Sequence, residues 1–137
     1  MKRLVENFAA NLRRVGVSVL TMFLVISSFA IFAPTAAAET YTVKLGTDKG
    51  MLAFEPKKIT VKPGDTIKWV NNKVPPHNVV FDPKGGKIAK DLSHKQLFMS
   101  AGQGYDTVIP ADAAPGVYDF YCEPHRGAGM AGKLTVE

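Results

Sequence analysis

From Tyr41 onward, apolar and polar residues alternate in short runs. Tyr41-Thr42-Val43-Lys44-Leu45 and Thr66-Ile67-Lys68-Trp69-Val70 place every second side chain on an apolar face, the period-two signature of a half-buried strand. Lys58-Ile59-Thr60-Val61 and Gly132-Lys133-Leu134-Thr135-Val136 repeat the pattern, and Thr107-Val108-Ile109 is a further short run. Asn78-Val79-Val80-Phe81 is short and apolar, as a buried strand requires. Gly46–Gly50, Lys62-Pro63-Gly64-Asp65 and Asn71-Asn72 are turn chemistry between these runs. Many short strands punctuated in this way predict an all-β antiparallel sandwich or barrel. Ile88–Met99 departs from the rule: Ile88, Leu92, Leu97 and Phe98 stand among Lys, Asp and Gln, and one or two helical turns are expected there.

The run Gly116-Val117-Tyr118-Asp119-Phe120-Tyr121-Cys122 has informative parity. Tyr118, Phe120 and Cys122 share one face of a strand, and Val117, Asp119 and Tyr121 share the other. Asp119 marks the wetter face, so Cys122 is expected to point inward and Tyr121 outward.

The first 38 residues read differently. Basic residues ending at Arg13-Arg14 precede an uncharged apolar stretch from Val15 to Phe32, then Pro34 and the small residues Ala36-Ala37-Ala38. This is the layout of a cleaved export signal, with Glu39 as the first residue of the product and residues 39–137 as one domain. The apolar stretch is near the length of a membrane span, but Pro34 and the alanine run favour cleavage over an anchor. Four of the 17 basic residues and one of the 12 acidic ones fall in this leader, which leaves a net charge of about +2 on the rest. No basic stripe remains to suggest a nucleic-acid binder. The chain has a single cysteine, so no internal disulfide is available to an exported product. Its thiol must be buried and inert, paired with another chain, catalytic or metal-bound.

The neighbours of that cysteine narrow the choice. Cys122, His125 and Met130 place a thiolate, an imidazole and a thioether on one Gly-rich loop, and His77 follows Pro75-Pro76 at the mouth of another strand. Two imidazoles and a thiolate with a weak axial thioether suit copper passing between its cuprous and cupric states. A thiol hydrolase would use Cys122 with a His, Asn78 being available to orient it, but leaves Met130 without purpose. Structural zinc takes Cys and His and seldom Met. His94 stands in a polar stretch with no neighbouring donor and is expected in solvent, and Met22, Met51 and Met99 need no metal.

These segments resemble the plastocyanins, of cyanobacterial type, within the blue-copper cupredoxins. Tyr121-Cys122-Glu123-Pro124-His125-Arg126-Gly127-Ala128-Gly129-Met130 is similar to their copper loop, Pro75–Asp82 to the segment around their first ligand, and Gly50–Pro56 to their early loop. The resemblance implies a cupredoxin-like Greek-key β-sandwich of about eight strands with one short helical segment. It implies one copper ion per chain, held by His77, Cys122, His125 and Met130, with Asn78 tying the two ligand loops together near the sulfur. It implies an electron carrier and not an enzyme, a monomer that takes electrons from cytochrome f of the cytochrome b6f complex and gives them to photosystem I in the thylakoid lumen; a carrier serving a respiratory chain is the alternative. Leu52, Pro76, Pro124 and Ala128 match an apolar patch around His125, the electron port. Arg126 matches a docking residue, and Tyr121 the aromatic flanking a second electron route. The plants' acidic cluster is missing: Asp82-Pro83-Lys84-Gly85-Gly86-Lys87 carries one acid and two lysines, so weaker or reversed steering is expected.

Overall fold

Alternation along the chain becomes two facing sheets. The computed structural model describes residues 37–137, and the leader reading falls outside them except at Ala37 and Ala38, which are exposed and without regular structure. Strands β1 (Thr40–Leu45), β2 (Phe54–Glu55), β4 (Thr66–Asn71) and β7 (Gly104–Val108) form one sheet, in the order β2-β1-β4-β7. Strands β3 (Lys58–Val61), β5 (His77–Phe81), β6 (His94–Phe98), β8 (Gly116–Tyr121) and β9 (Ala131–Val136) form the other, in the order β3-β9-β8-β5-β6. Among the described residues, no helix is long and apolar enough to cross a membrane.

The sandwich was expected, but its strands are not all antiparallel. β1 runs parallel to β4, with Thr40 opposite Thr66 and Leu45 opposite Asn71, and β3 runs parallel to β9. The chain passes from β1 and β2 into the other sheet at β3 before returning at β4, and such a crossover lets neighbours run in the same direction.

The inward faces supply the core. Val43, Leu45, Ile67 and Trp69 come from the first sheet, and Ile59, Val61, Phe120, Leu134 and Val136 from the second. Trp69 sits at the centre of an aromatic cluster, edge-on to Phe54, Phe81 and Phe120 at centroid distances of 6.3, 6.4 and 5.3 Å. Its indole N–H donates to Thr107 Oγ1 at 3.0 Å, so the polar end of a fully buried ring is satisfied. β5 is buried along its whole length, because it lies between β8 and β6 and is packed by helix α1 (Gly86–Leu92) through Ile88, Ala89 and Leu92. Ser93 fastens that helix: its hydroxyl donates to Ala89 O at 2.6 Å and accepts from Phe81 N at 2.9 Å.

Ile88–Met99 thus divides. Its first part is helical, as expected, but His94–Phe98 is strand β6, with His77 opposite Phe98 and Val79 opposite His94. His94 is also not free in solvent. It is half-buried, its ring stacked on Phe98 at 5.0 Å and on Tyr105 at 4.1 Å. Two aromatic faces, Phe98 on its own strand and Tyr105 on β7, take the ring out of water, which its polar sequence neighbours did not reveal.

Replacing Trp69 by Ala removes the centre of this cluster. A loss of about 3–5 kcal/mol is expected, read as a lower denaturant midpoint at unchanged slope. A loss below about 1 kcal/mol would show that Phe54, Phe81 and Phe120 close the gap unaided.

Candidate metal centre

The site is built where the ends of β5 and β8 meet. Parity along β8 turns Phe120 and Cys122 inward and leaves Asp119 exposed, as the sequence pattern predicted. Tyr121 pairs with Ala131, so residues 122–130 form a loop closed at its base by two paired strands. Cys122 N donates to Met130 O at 3.1 Å, and the N–H groups of Ala128 and Met130 both donate to His125 O, at 3.0 and 3.2 Å. A 3-10 turn at Arg126–Ala128 ends at Gly129, whose φ of +82° suits glycine. The loop is therefore fixed by its own backbone, with Cys122 and Met130 wholly buried and His125 half-buried.

His77 enters from β5, also wholly buried. Its Nδ1 lies 3.6 Å from Cys122 Sγ and 3.1 Å from His125 Nδ1, and His125 Nδ1 lies 3.6 Å from the same sulfur. The ring is oriented from behind: Nε2 donates to the Lys73 carbonyl at 2.8 Å, which leaves the Nδ1 lone pair facing the other two donors. Gly46, at a φ of +84°, makes room for that carbonyl, since a Cβ there would collide with Lys73 O.

Three donor atoms of these types, converging this closely, can share one metal ion. The point equidistant from the three is about 2.0 Å from each, the length of a metal–imidazole bond and slightly short of a metal–thiolate one. The donor set therefore fits a metal ion. Burial pushes the Cys122 thiol above its ordinary pKa, against the backbone hydrogen bonds from Asn78 and His125. Burial also lowers the pKa of His77. A buried thiol with a raised pKa is the opposite of an activated nucleophile, which weighs against the hydrolase reading. Among the described residues, no further His, Cys, Asp or Glu joins the three, so a closed four-ligand zinc set of those residues is not present.

Residues 41–137 match the family model described as copper binding proteins, plastocyanin/azurin family. The chain belongs to that family. It is 67% identical over 134 residues to plastocyanin of Nostoc punctiforme, covering 94% of this chain and 96% of that protein. It is 45% identical over 136 residues to plastocyanin of a Synechococcus strain, covering 97% of each. Among solved structures it is similar to the oxidized form of plastocyanin from Dryopteris crassirhizoma, with 33% identity and a TM-score of 0.59; the match covers 70% of this chain and 99% of that one. Copper is the metal, and the chain is a blue-copper electron carrier of cupredoxin fold.

The other sequence-predicted residues divide between support and surface. Asn78 ties the two ligand segments together: its Oδ1 accepts from Glu123 N at 2.9 Å, and its Nδ2 donates to Glu123 Oε2 at 2.7 Å and to Lys95 O at 3.0 Å. Pro124 and Ala128 are exposed, and Leu52 and Pro76 are half-buried. Arg126 lies over the Tyr121 ring, its guanidinium carbon 3.9 Å from the centroid, which joins two residues the sequence treated separately.

Sequence reasoning missed the Glu123 carboxylate and the Lys73 carbonyl, and the second of these had no signal in residue type. It also missed Met51 and Val74, exposed at 57% and 47% beside Leu52 and Pro76, in loops brought together where Gly46 meets Lys73 and Gly50 approaches Val74.

Gly46→Ala is expected to displace the Lys73 carbonyl and release the His77 ring. Copper affinity should fall by about tenfold or more, as for loss of the outer partner of a ligand, and a titration with cupric ion measures it. Unchanged affinity would show that β5 alone fixes His77.

Proposed function

We propose that His77, Cys122, His125 and Met130 hold the copper, and that the chain carries single electrons in photosynthesis. The donor is cytochrome f of the cytochrome b6f complex and the acceptor is photosystem I, in the thylakoid lumen, after removal of residues 1–38. The observation that carries this reading is the convergence of the His77, Cys122 and His125 donor atoms within 3.6 Å, in a chain 67% identical over 134 residues to a plastocyanin. Bound copper supplies a one-electron couple between its cuprous and cupric states.

The protein's part is to hold and to expose. The closed loop and the His77–Lys73 hydrogen bond keep the donors in place whichever charge they face, so little rearrangement accompanies transfer. The two imidazoles differ in access, His77 being wholly buried and His125 half-buried, and His125 is therefore the electron port. Leu52, Pro76, Pro124 and Ala128 surround it with apolar surface, on which a partner approaches closely without water and leaves quickly.

Steering falls to basic residues. An open cleft below Tyr121 is lined by Lys57, Lys58, Lys133 and Arg126, with Asp82 and Asp119. Four cations against two acids favour a partner surface of negative sign.

Two substitutions and one salt series test the reading. Cys122→Ser should abolish intense blue colour, and retained colour refutes the thiolate. Met130→Leu should keep copper and shift the reduction potential, whereas complete loss of copper would make Met130 more than a weak axial ligand. Transfer from reduced cytochrome f should depend only weakly on salt between about 0.01 and 0.15 M, where the screening length shrinks from about 30 to 8 Å. The steep dependence of a strongly acidic carrier contradicts the steering, and failure to reduce the protein with cytochrome f at any salt points instead to a respiratory donor.

A further inference from the structure

The start of β1 carries an interaction that electron transfer does not use. Glu39 N donates to Asp65 Oδ1 at 2.9 Å, and Lys62 N donates to Asp65 Oδ2 at 2.7 Å. Asp65 is only 4% exposed. Among the described residues each of its oxygens accepts a single protein hydrogen, while a carboxylate has room for about four. The same Glu39 accepts from Thr66 N through its carbonyl, at 2.8 Å, at the first rung of the parallel β1–β4 ladder. Its side chain is held elsewhere, Oε2 accepting from the Tyr41 hydroxyl at 2.8 Å.

Glu39 is also where the sequence places the first residue after the leader. Ala37 and Ala38, just before it, are exposed and in no regular element, as a protease substrate must be. We propose that Asp65 is the receptor for the α-ammonium group formed at Glu39 when the leader is cut after Ala38, so that processing locks β1 onto β4. The proposal rests on that cleavage site and is independent of the redox partners.

The chemistry is simple. Water adds across the Ala38–Glu39 peptide bond, Ala38 leaves as a carboxylate, and the new amine on Glu39 takes up a proton. One neutral N–H facing Asp65 becomes a charged group with three donors, and a hydrogen bond becomes an ion pair. The surroundings favour the added charge. The backbone N–H groups of Glu39 and Lys62 already hold the Asp65 carboxyl below its ordinary pKa, so it is ionised at neutral pH. Glu39 and Glu137 add negative charge nearby and Lys62 is the cation facing Asp65, while the Tyr41 hydroxyl, pushed up to about 12 by its bond to Glu39, stays neutral.

An α-amine ordinarily titrates at about 7.7–8.0. Pairing with Asp65 raises that value in the folded state. The added stability is then complete below the ordinary value and disappears as pH rises through the raised one.

The test compares three forms of the copper-binding domain: a chain starting at Glu39, the same chain acetylated at Glu39, and a chain starting at Ala38. The Glu39 amine, followed by NMR with nitrogen-15 label, should titrate above about 8. At pH 7 the unfolding constant of the free-amine chain should be about three- to tenfold below that of the other two. The difference should close at high pH, and Asp65→Asn should erase it. An amine that titrates at the ordinary value, with equal stability in all three forms, overturns the proposal, and the acetylation comparison decides even if the Asp65 variant does not fold. N-terminal sequencing of the exported protein tests the cleavage site separately: a start at Glu39 supports the processing role, and any other start overturns it without touching the assignment of the ligands.

Discussion

Everything at the functional end of this protein depends on holding three metal-binding atoms together in a buried place. His77 Nδ1, His125 Nδ1 and Cys122 Sγ lie within 3.6 Å of one another, and burial penalises charge on both His77 and Cys122. No short peptide would keep that arrangement. Two elements impose it here: β5, buried along its length, which delivers His77, and the loop closed between β8 and β9, which delivers the other two. The free energy of folding holds the donors in place, where they would bind a metal ion.

The support runs outward in layers. The Lys73 carbonyl orients His77, and Gly46 has no Cβ to obstruct that carbonyl. Asn78 spans the gap to Glu123 with hydrogen bonds in both directions, so the ligand segments cannot drift apart separately. Behind them the Trp69–Phe120 cluster locks one sheet to the other. Surface and site meet at His125, half-buried while its partners are wholly buried. In the proposed role, that asymmetry separates the buried donors from the edge that meets another protein.

Much of this was legible in the sequence. Period-two alternation located β1, β3, β4 and β9, and parity along β8 put Cys122 inside and Tyr121 outside. The donor residues were legible because sulfur and imidazole at loop–strand junctions are costly unless used. The parallel pairings were not, since alternation reports which face is buried and not which strand lies alongside. β6 was missed because a short strand with one buried residue, Phe98, looks polar, and His94 was misplaced because its stacking partners include Tyr105 from another element. The Lys73 carbonyl is invisible for a deeper reason: every residue has one.

The central claim is that His77, Cys122 and His125, brought together by this fold, form with Met130 a blue-copper centre that cycles one electron. The most direct test is the visible spectrum of the Glu39–Glu137 protein after addition of cupric ion and an oxidant. The account predicts an intense blue colour that ascorbate bleaches and the oxidant restores. A protein that stays colourless with copper, or whose Cys122 is alkylated equally fast with and without it, would contradict the account.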